Sequence, residues 1–106
     1  MAFVSGKWDG AASNYKTTED YCNACAIDMN PTGKPKVQAM CKLPLKTPDG
    51  DYSTRALTSA QGVLLGAMGG IDAPMAEKTK AARKIVSLMK QAKLEPNPGL
   101  VKLAGQ

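Results

Sequence analysis

The stretch between Pro74 and Pro96 constrains this chain most. Met75, Ala82, Ile85, Val86, Met89 and Ala92 recur at helical spacing, with Lys80, Arg83, Lys84, Ser87 and Lys90 on the opposite side. Only a helix sorts these residues into an apolar stripe and a basic stripe, because its neighbours lie three and four positions apart. Proline is well placed in a first turn and cannot continue a helix interior, so the sequence predicts a helix from about Pro74 to Lys93, stopped by Pro96 and Pro98. A chain built around such a helix must supply other apolar faces to cover its stripe.

With 106 residues the chain is long enough for one core, and a single small domain is expected. Many of its apolar residues are alanine and aromatics make up only 5%, so that core is thin and leaves room for support from a partner or from further copies of the chain. Charge is distributed unevenly. Residues 1–53 hold six basic and six acidic side chains, whereas residues 54–106 hold eight basic and three acidic ones, so the whole net charge of +5 lies in the second half. No apolar run approaches the roughly 20 residues of a membrane span, and the beginning of the chain does not read as a signal peptide. These features predict synthesis in a cytoplasm and no membrane partner.

The first 16 residues lack helical or strand periodicity and read as an extended arm, with Phe3, Trp8 and Tyr15 as aromatic anchors toward the domain or a neighbour. Thr17 or Thr18 caps a first helix with Glu19 and Asp20 in its opening turn, and Tyr21, Cys22, Cys25, Ala26 and Met29 extend its apolar spacing to about Met29. Asn30-Pro31 ends it. Residues 36–45 alternate between Val37, Ala39, Cys41, Leu43 and Leu45 on one side and mainly polar residues on the other, which predicts a short extended or strand segment confined to an edge by Pro44. Lys46-Thr47-Pro48-Asp49-Gly50 is a turn, and Ser53 or Thr54 caps a second helix bearing Ala56, Leu57, Ala60, Val63, Leu64 and Ala67. Gly62 and Gly66 interrupt that helix on one side, and Gly69-Gly70 ends it. Beyond residue 94 a short tail broken by proline offers Leu100, Val101 and Leu103 to the core. The expected fold is mostly α, α+β at most: an extended arm over 1–16 and one small three-helix domain over 17–106.

The side chains that usually carry catalysis are scarce. The chain contains no histidine, the commonest general base near neutral pH, and its glycines do not form a phosphate-cradling loop followed by Lys-Ser/Thr. A non-enzymatic protein without catalytic residues or cofactor is the expectation. Cys22, Cys25 and Cys41 offer three sulfurs where a closed zinc site takes four ligands, so the cysteines read better as small, reduced core residues than as metal ligands. A zinc-stabilised adaptor is the weaker alternative, and pairing of Cys41 with either other cysteine stays open for an oxidising environment. The basic stripe is the one patch with a direct physical implication. Lys80, Arg83, Lys84 and Lys90 suit an acidic protein surface or, less well, nucleic-acid phosphates, since no aromatic residues interleave them to stack bases.

The run Trp8-Asp9-Gly10, Tyr21-Cys22 through Ile27-Asp28, Asn30-Pro31, Cys41-Lys42-Leu43-Pro44, Pro48-Asp49-Gly50, Gly66 with Gly69-Gly70, and Lys80-Ala81-Ala82-Arg83-Lys84 resembles a small domain of unknown function. Such domains are encoded by tailed phages and prophages, often near head-morphogenesis genes, and the likeness covers about residues 6–100. The resemblance carries no catalytic residues onto this chain. It implies a virion or head-assembly protein, such as a capsid-associated accessory or decoration subunit, located in the virion after synthesis in the host cytoplasm. The implied partner is a phage structural protein such as the major capsid protein, or the chain itself as an oligomer. A small basic nucleic-acid-associated phage protein using the outer face of the third helix is the alternative. The residues expected to meet a partner are Phe3, Trp8, Tyr15, Lys80, Arg83, Lys84 and Lys90.

Overall fold

The computed structural model describes residues 3–66 and 70–105. The chain divides into two compact units, Met1–Ala56 and Leu57–Gln106, and the boundary falls in the first turn of the second α-helix.

The first unit mixes small helices with two-stranded pairings. Its opening strand β1 (Phe3–Val4) runs parallel to a later strand, Tyr52–Ser53, with Phe3 opposite Tyr52 and Val4 opposite Ser53. The Thr54 hydroxyl donates to the Val4 carbonyl at 3.3 Å, and Arg55 Nε to the Ser5 carbonyl at 3.0 Å. These bonds tie down a segment with little apolar surface. A short 3-10 helix follows at Ala12–Asn14. The arm expected over residues 1–16 therefore carries two ordered pieces within this unit.

The first helix, α1 (Thr18–Ala24), is capped by Thr17, whose Oγ1 accepts from the Asp20 amide at 3.0 Å, and it carries Glu19 and Asp20 in its first turn. It ends five residues earlier than its apolar spacing predicts. From Cys25 to Asp28 the chain becomes strand β2, antiparallel to strand β3 (Cys41–Pro44), with Cys25 opposite Pro44, Ile27 opposite Lys42 and Asp28 opposite Cys41. Residues 25 and 27 satisfy a period of two as well as they satisfy a helix, and pairing with β3 decides between the two. Ile27 is completely buried by that choice.

The strand expected over 36–45 is shorter for a similar reason. A 3-10 helix occupies Gln38–Met40, leaving Val37 54% exposed, and only Cys41 to Pro44 pair. Pro44 lies in a two-stranded sheet, where it takes no bond from an inner ladder. Leu43 has φ of 62°, a left-handed conformation unfavourable for a residue with a Cβ, while its side chain is buried. The predicted turn forms with Gly50 N–H donating to the Thr47 carbonyl at 2.9 Å and Thr47 N–H to the Asp51 carbonyl at 2.7 Å. Pro48-Asp49-Gly50 makes a three-residue hairpin loop whose last position, at φ of 93°, requires glycine. It leads into β4 (Tyr52–Ser53).

The second helix, α2 (Thr54–Leu64), starts at the predicted cap: Ser53 Oγ accepts from the Ala56 amide at 3.1 Å. Of its expected stripe, Ala56, Leu57, Ala60 and Leu64 are buried. Ala67 and Gly69 lie outside the described residues. The helix stops before Gly66, whose φ is 106°, and a Cβ at Gly66 meets no described atom within 4 Å. That glycine serves the turn rather than a close backbone approach.

In the second unit, α3 (Met75–Gln91) matches the predicted amphipathic helix. Ala81, Ala82, Ile85, Val86, Leu88 and Met89 are buried, so the stripe is wider than expected on this side and shorter at its start, where Met75 is 65% exposed. The helix closes with Leu94 N–H on the Met89 carbonyl (2.7 Å) and Lys93 N–H on the Lys90 carbonyl (3.1 Å), a Schellman motif. Lys93 occupies the left-handed position of this motif at φ of 62°. Replacing Lys93 with glycine removes that steric penalty of about 1 kcal/mol or more, less the extra flexibility given to the unfolded chain. Lys93→Gly is therefore expected to raise stability by roughly 0.5 kcal/mol, read as a higher denaturation midpoint.

The expected three helices are followed by a fourth. Pro98 does not merely break the tail: it opens α4 (Pro98–Leu103), in which the Asn97 side chain accepts from the Gly99 amide at 2.8 Å. Proline at a first helical position lacks only an amide that would have no partner there. Leu100 and Ala104 are completely buried, as the docking role of Leu100 predicts. The Asn97 amide also donates to the Gln61 side chain at 2.6 Å, joining the start of α4 to α2. Among the described residues no helix is long and apolar enough to cross a membrane.

Candidate interaction surface

On α3 the exposed positions are Met75, Ala76, Lys80, Arg83, Lys84, Ser87, Lys90 and Gln91. From Lys80 to Gln91 they recur at steps of three and four, so three lysines stand along one side of a helix whose other side is buried. Lys80 lies 3.6 Å from Glu77, one turn before it, with its own side chain 71% exposed, a geometry worth only tenths of a kcal/mol. Among the described residues Lys84 and Lys90 have no ion-pair partner.

Arg83 differs from these lysines. Its Nε donates to the Ala104 carbonyl at 2.8 Å, placing the guanidinium at the C-terminal end of α4. There the last helical carbonyls lack amide partners and the helix dipole favours a cation. The sequence groups Arg83 with the binding face, whereas the fold uses it as a cap for α4. Arg83→Ala is expected to destabilise by about 1 kcal/mol, with Arg83→Gln recovering little, because the charge as well as the bond is lost. Thermal denaturation of the two variants measures this.

The three aromatic anchors all have contacts within the first unit. Phe3 packs its ring 5.9 Å from that of Tyr52, which in turn lies under the Lys46 ammonium at 5.0 Å. Trp8 lies against Gly10, where a Cβ would come within 3.2 Å of the indole and φ is 74°. Tyr15 is buried, stands edge-on to Tyr21 with ring centres 5.4 Å apart, and donates its hydroxyl to the Lys46 carbonyl. It is thereby an internal anchor with almost no surface to offer a partner. Beside it a cleft of about 380 Å³ is lined by Lys16, Lys46, Asp20, Asn23, Thr47 and Pro48, two lysines and one carboxylate.

Tyr21 lies against the cysteine cluster. Burial, then the neighbouring Cys25 through charge and hydrogen bonding, pushes its phenol up to about 12. A group with a higher pKa in the folded chain contributes stability that is complete below its ordinary value and lost as pH rises toward the folded one. Alkaline titration of tyrosinate absorbance is thus expected to show a late transition near 12 that Tyr21→Phe removes, with stability declining between about 10 and 12.

The cysteines depart from their expected reduced state. Cys22 and Cys41 form a disulfide with Cα atoms 5.2 Å apart, and Cys25 is buried next to them outside the bridge. The cause is topological: Cys22 in α1 and Cys41 in β3 are 19 residues apart in sequence, and the β2–β3 pairing carries Cys41 back to α1, within the span that a disulfide requires. Two of the three sulfurs a zinc site would use are joined to each other. Among the described residues no group of three or more His, Cys, Asp or Glu side chains is placed to hold a metal ion.

Asn30, which the sequence marks only as a helix terminator before Pro31, is the polar centre of this region. Its Oδ1 accepts from the Val37 amide at 2.7 Å, and its Nδ2 lies 2.8 Å from Asp28 Oδ1, 3.3 Å from the Val37 carbonyl and 3.2 Å from Cys41 Sγ. Asp28 also accepts from the Asn30 amide at 2.9 Å and pairs with Lys36. Burial alone would raise the Asp28 pKa, but these bonds and the Lys36 charge outweigh it and hold the carboxyl below its usual range. The signal available in the sequence is Asp-x-Asn-Pro, a pattern of turn-forming side chains, whose long-range partners become visible only with the fold.

Comparison with protein-family models, curated proteins and solved structures finds no match for this chain.

Proposed function

We propose that the chain is a non-enzymatic phage virion or head-assembly protein, a capsid-associated accessory or decoration subunit that docks through α3 onto an acidic surface of a phage structural protein. The major capsid protein is the expected partner. The observation that supports this reading is the exposed lysine row Lys80, Lys84 and Lys90 on a helix anchored by its opposite side. The resemblance to phage-encoded domains supplies the setting.

Exposed ion pairs are individually weak, about 0.2–1 kcal/mol, so one subunit docked by three lysines is held loosely. A shell presents many identical acidic surfaces at fixed spacing, and linked contacts convert weak binding into stable occupancy. Salt weakens such docking because exposed charges are screened over about 8–10 Å at physiological strength.

Mass spectrometry of purified particles is expected to find the chain at a fixed ratio to the major capsid protein, and K80E/K84E/K90E to be lost from them while remaining folded. Absence of the wild-type chain from particles overturns the proposal. Retention of the triple variant at wild-type ratio removes the lysine row from it. Binding to a DNA duplex at low salt, abolished by the same substitutions, would assign the row to phosphates instead.

A further inference from the structure

We infer that the Cys22–Cys41 bridge is a redox-operated lock on the segment from Asn30 to Met40. Oxidised, it holds the segment in one conformation; reduced, it lets the segment open while α1 and the β2–β3 pairing persist. This inference is independent of what the lysine row binds.

The segment has almost nothing else to hold it. From Pro31 to Met40 no residue is buried, and its two largest apolar side chains, Val37 and Met40, are 54% and 39% exposed. Segments with few buried apolar contacts open locally at low free energy, well before the rest of a fold. What fixes this one is polar and converges at one place. The Met29 amide donates to the Met40 carbonyl at 3.0 Å, Lys36 pairs with Asp28, and Asn30 takes the Val37 amide.

Asn30 connects these bonds to the disulfide. Its amide nitrogen has two hydrogens and faces the Asp28 carboxylate, the Val37 carbonyl and Cys41 Sγ, with Cys22 Sγ further off at 3.8 Å. While the sulfurs are bonded, Cys41 is fixed to α1, and Asn30 at the start of the segment and Cys41 just after it keep the separation that these bonds require. After reduction Cys41 carries a free-rotating thiol, and the segment's end is held by the β2–β3 ladder, where Cys41 lies opposite Asp28, and by the polar bonds at Met29, Lys36 and Asn30. The pairing of Cys25 with Pro44 and of Ile27 with Lys42, and the Leu45 amide bond to the Ala24 carbonyl at 2.8 Å, lie beyond the bridge and do not depend on it.

The chemistry balances with a glutathione couple. A glutathione thiolate attacks one sulfur of the bridge to form a mixed disulfide, and the other leaves as thiolate and takes a proton; a second glutathione thiolate then attacks the glutathione sulfur of that mixed disulfide and releases the remaining cysteine as thiolate, which is protonated in turn. Two reduced glutathiones become one glutathione disulfide, and the chain gains two hydrogens as Cys22 and Cys41 thiols. Cys22 and Cys41 are 2% and 4% exposed and pack with Cys25 and Tyr21, so attack on the bridge requires a transient local opening around it.

Hydrogen exchange of the full chain, equilibrated in reduced or oxidised glutathione, tests the inference, with thiol counting on the unfolded samples. The oxidised chain should show one thiol and the reduced chain three. Reduction is expected to speed exchange at the Val37 and Met29 amides by about tenfold or more, and at the Leu45 amide by less than about twofold. C22A/C41A should behave as the reduced chain in both buffers; if it does not fold, the wild-type comparison decides alone. Equal acceleration at all three amides, no acceleration at any of them, or three thiols after oxidation would overturn the lock.

Discussion

Removing the bridge with C22A/C41A is expected to lower the unfolding free energy by about 3 kcal/mol in the absence of reductant. The figure comes from the 19-residue separation between the two cysteines, which fixes how much freedom the cross-link takes from the unfolded chain. It is an upper value, because the folded state also changes. Once the bond is gone, the segment from Asn30 to Met40 regains motion in the folded state as well, and that returned entropy offsets part of the loss. Alanine is the replacement of choice because a serine hydroxyl in these buried positions would need a new hydrogen-bond partner. Trp8, the single tryptophan, lies in the same unit as the bridge and reports its unfolding by fluorescence in a denaturant titration. A loss below about 1 kcal/mol would mean that the unfolded chain already keeps these cysteines close, contrary to the chain-entropy argument.

A loss of similar size is expected in the second unit from Leu100→Ala, about 3 kcal/mol within the usual 2–5 for a buried leucine. Leu100 has no exposed surface and sits in a helix of six residues. A helix this short has no stability of its own, since nucleation outweighs the few bonds that follow it. It persists through five supports: the Asn97 cap, the Asn97 amide bond to Gln61, Pro98 at its start, the Arg83 guanidinium at its end and the buried Leu100. Removing the Leu100 side chain takes away the only one of these that excludes water on a large scale. Calorimetry should show the stability loss, and far-ultraviolet dichroism a loss of helical signal before the main transition. A substitution that left both unchanged would show that α4 is held by its caps rather than by its core contact.

These two predictions fall on features that the sequence discloses unequally. Leu100 is identifiable as a docking residue from its apolar neighbours, while the helix around it is obscured by Pro96 and Pro98, which serve equally as breakers and as starters. The disulfide is less legible. Three cysteines in a chain this short permit three pairings and also a reduced state, and the choice rests on a strand pairing between segments far apart in sequence. Arg83 shows the same limit at the surface. Its spacing assigns it to the basic stripe with Lys80 and Lys84, but its guanidinium is spent on a carbonyl 21 positions later. The charge of the stripe is legible; the part of it left for a partner is not.

What the sequence determined by itself are the features set by neighbours within one turn. These include the helix caps, placed within one residue at Thr17 or Thr18 and at Ser53 or Thr54, the Pro48-Asp49-Gly50 turn, the amphipathic course of α3 and the charge on its outer side. Tertiary structure alone decided that α1 yields to β2 at Cys25, that Cys22 meets Cys41, that Asn30 becomes a hub and that Arg83 caps α4. The division has a physical reason. Caps, turns and helical faces are chosen by backbone sterics and side chains a few residues away, whereas a segment compatible with both helix and strand takes the form its distant partner can pair with.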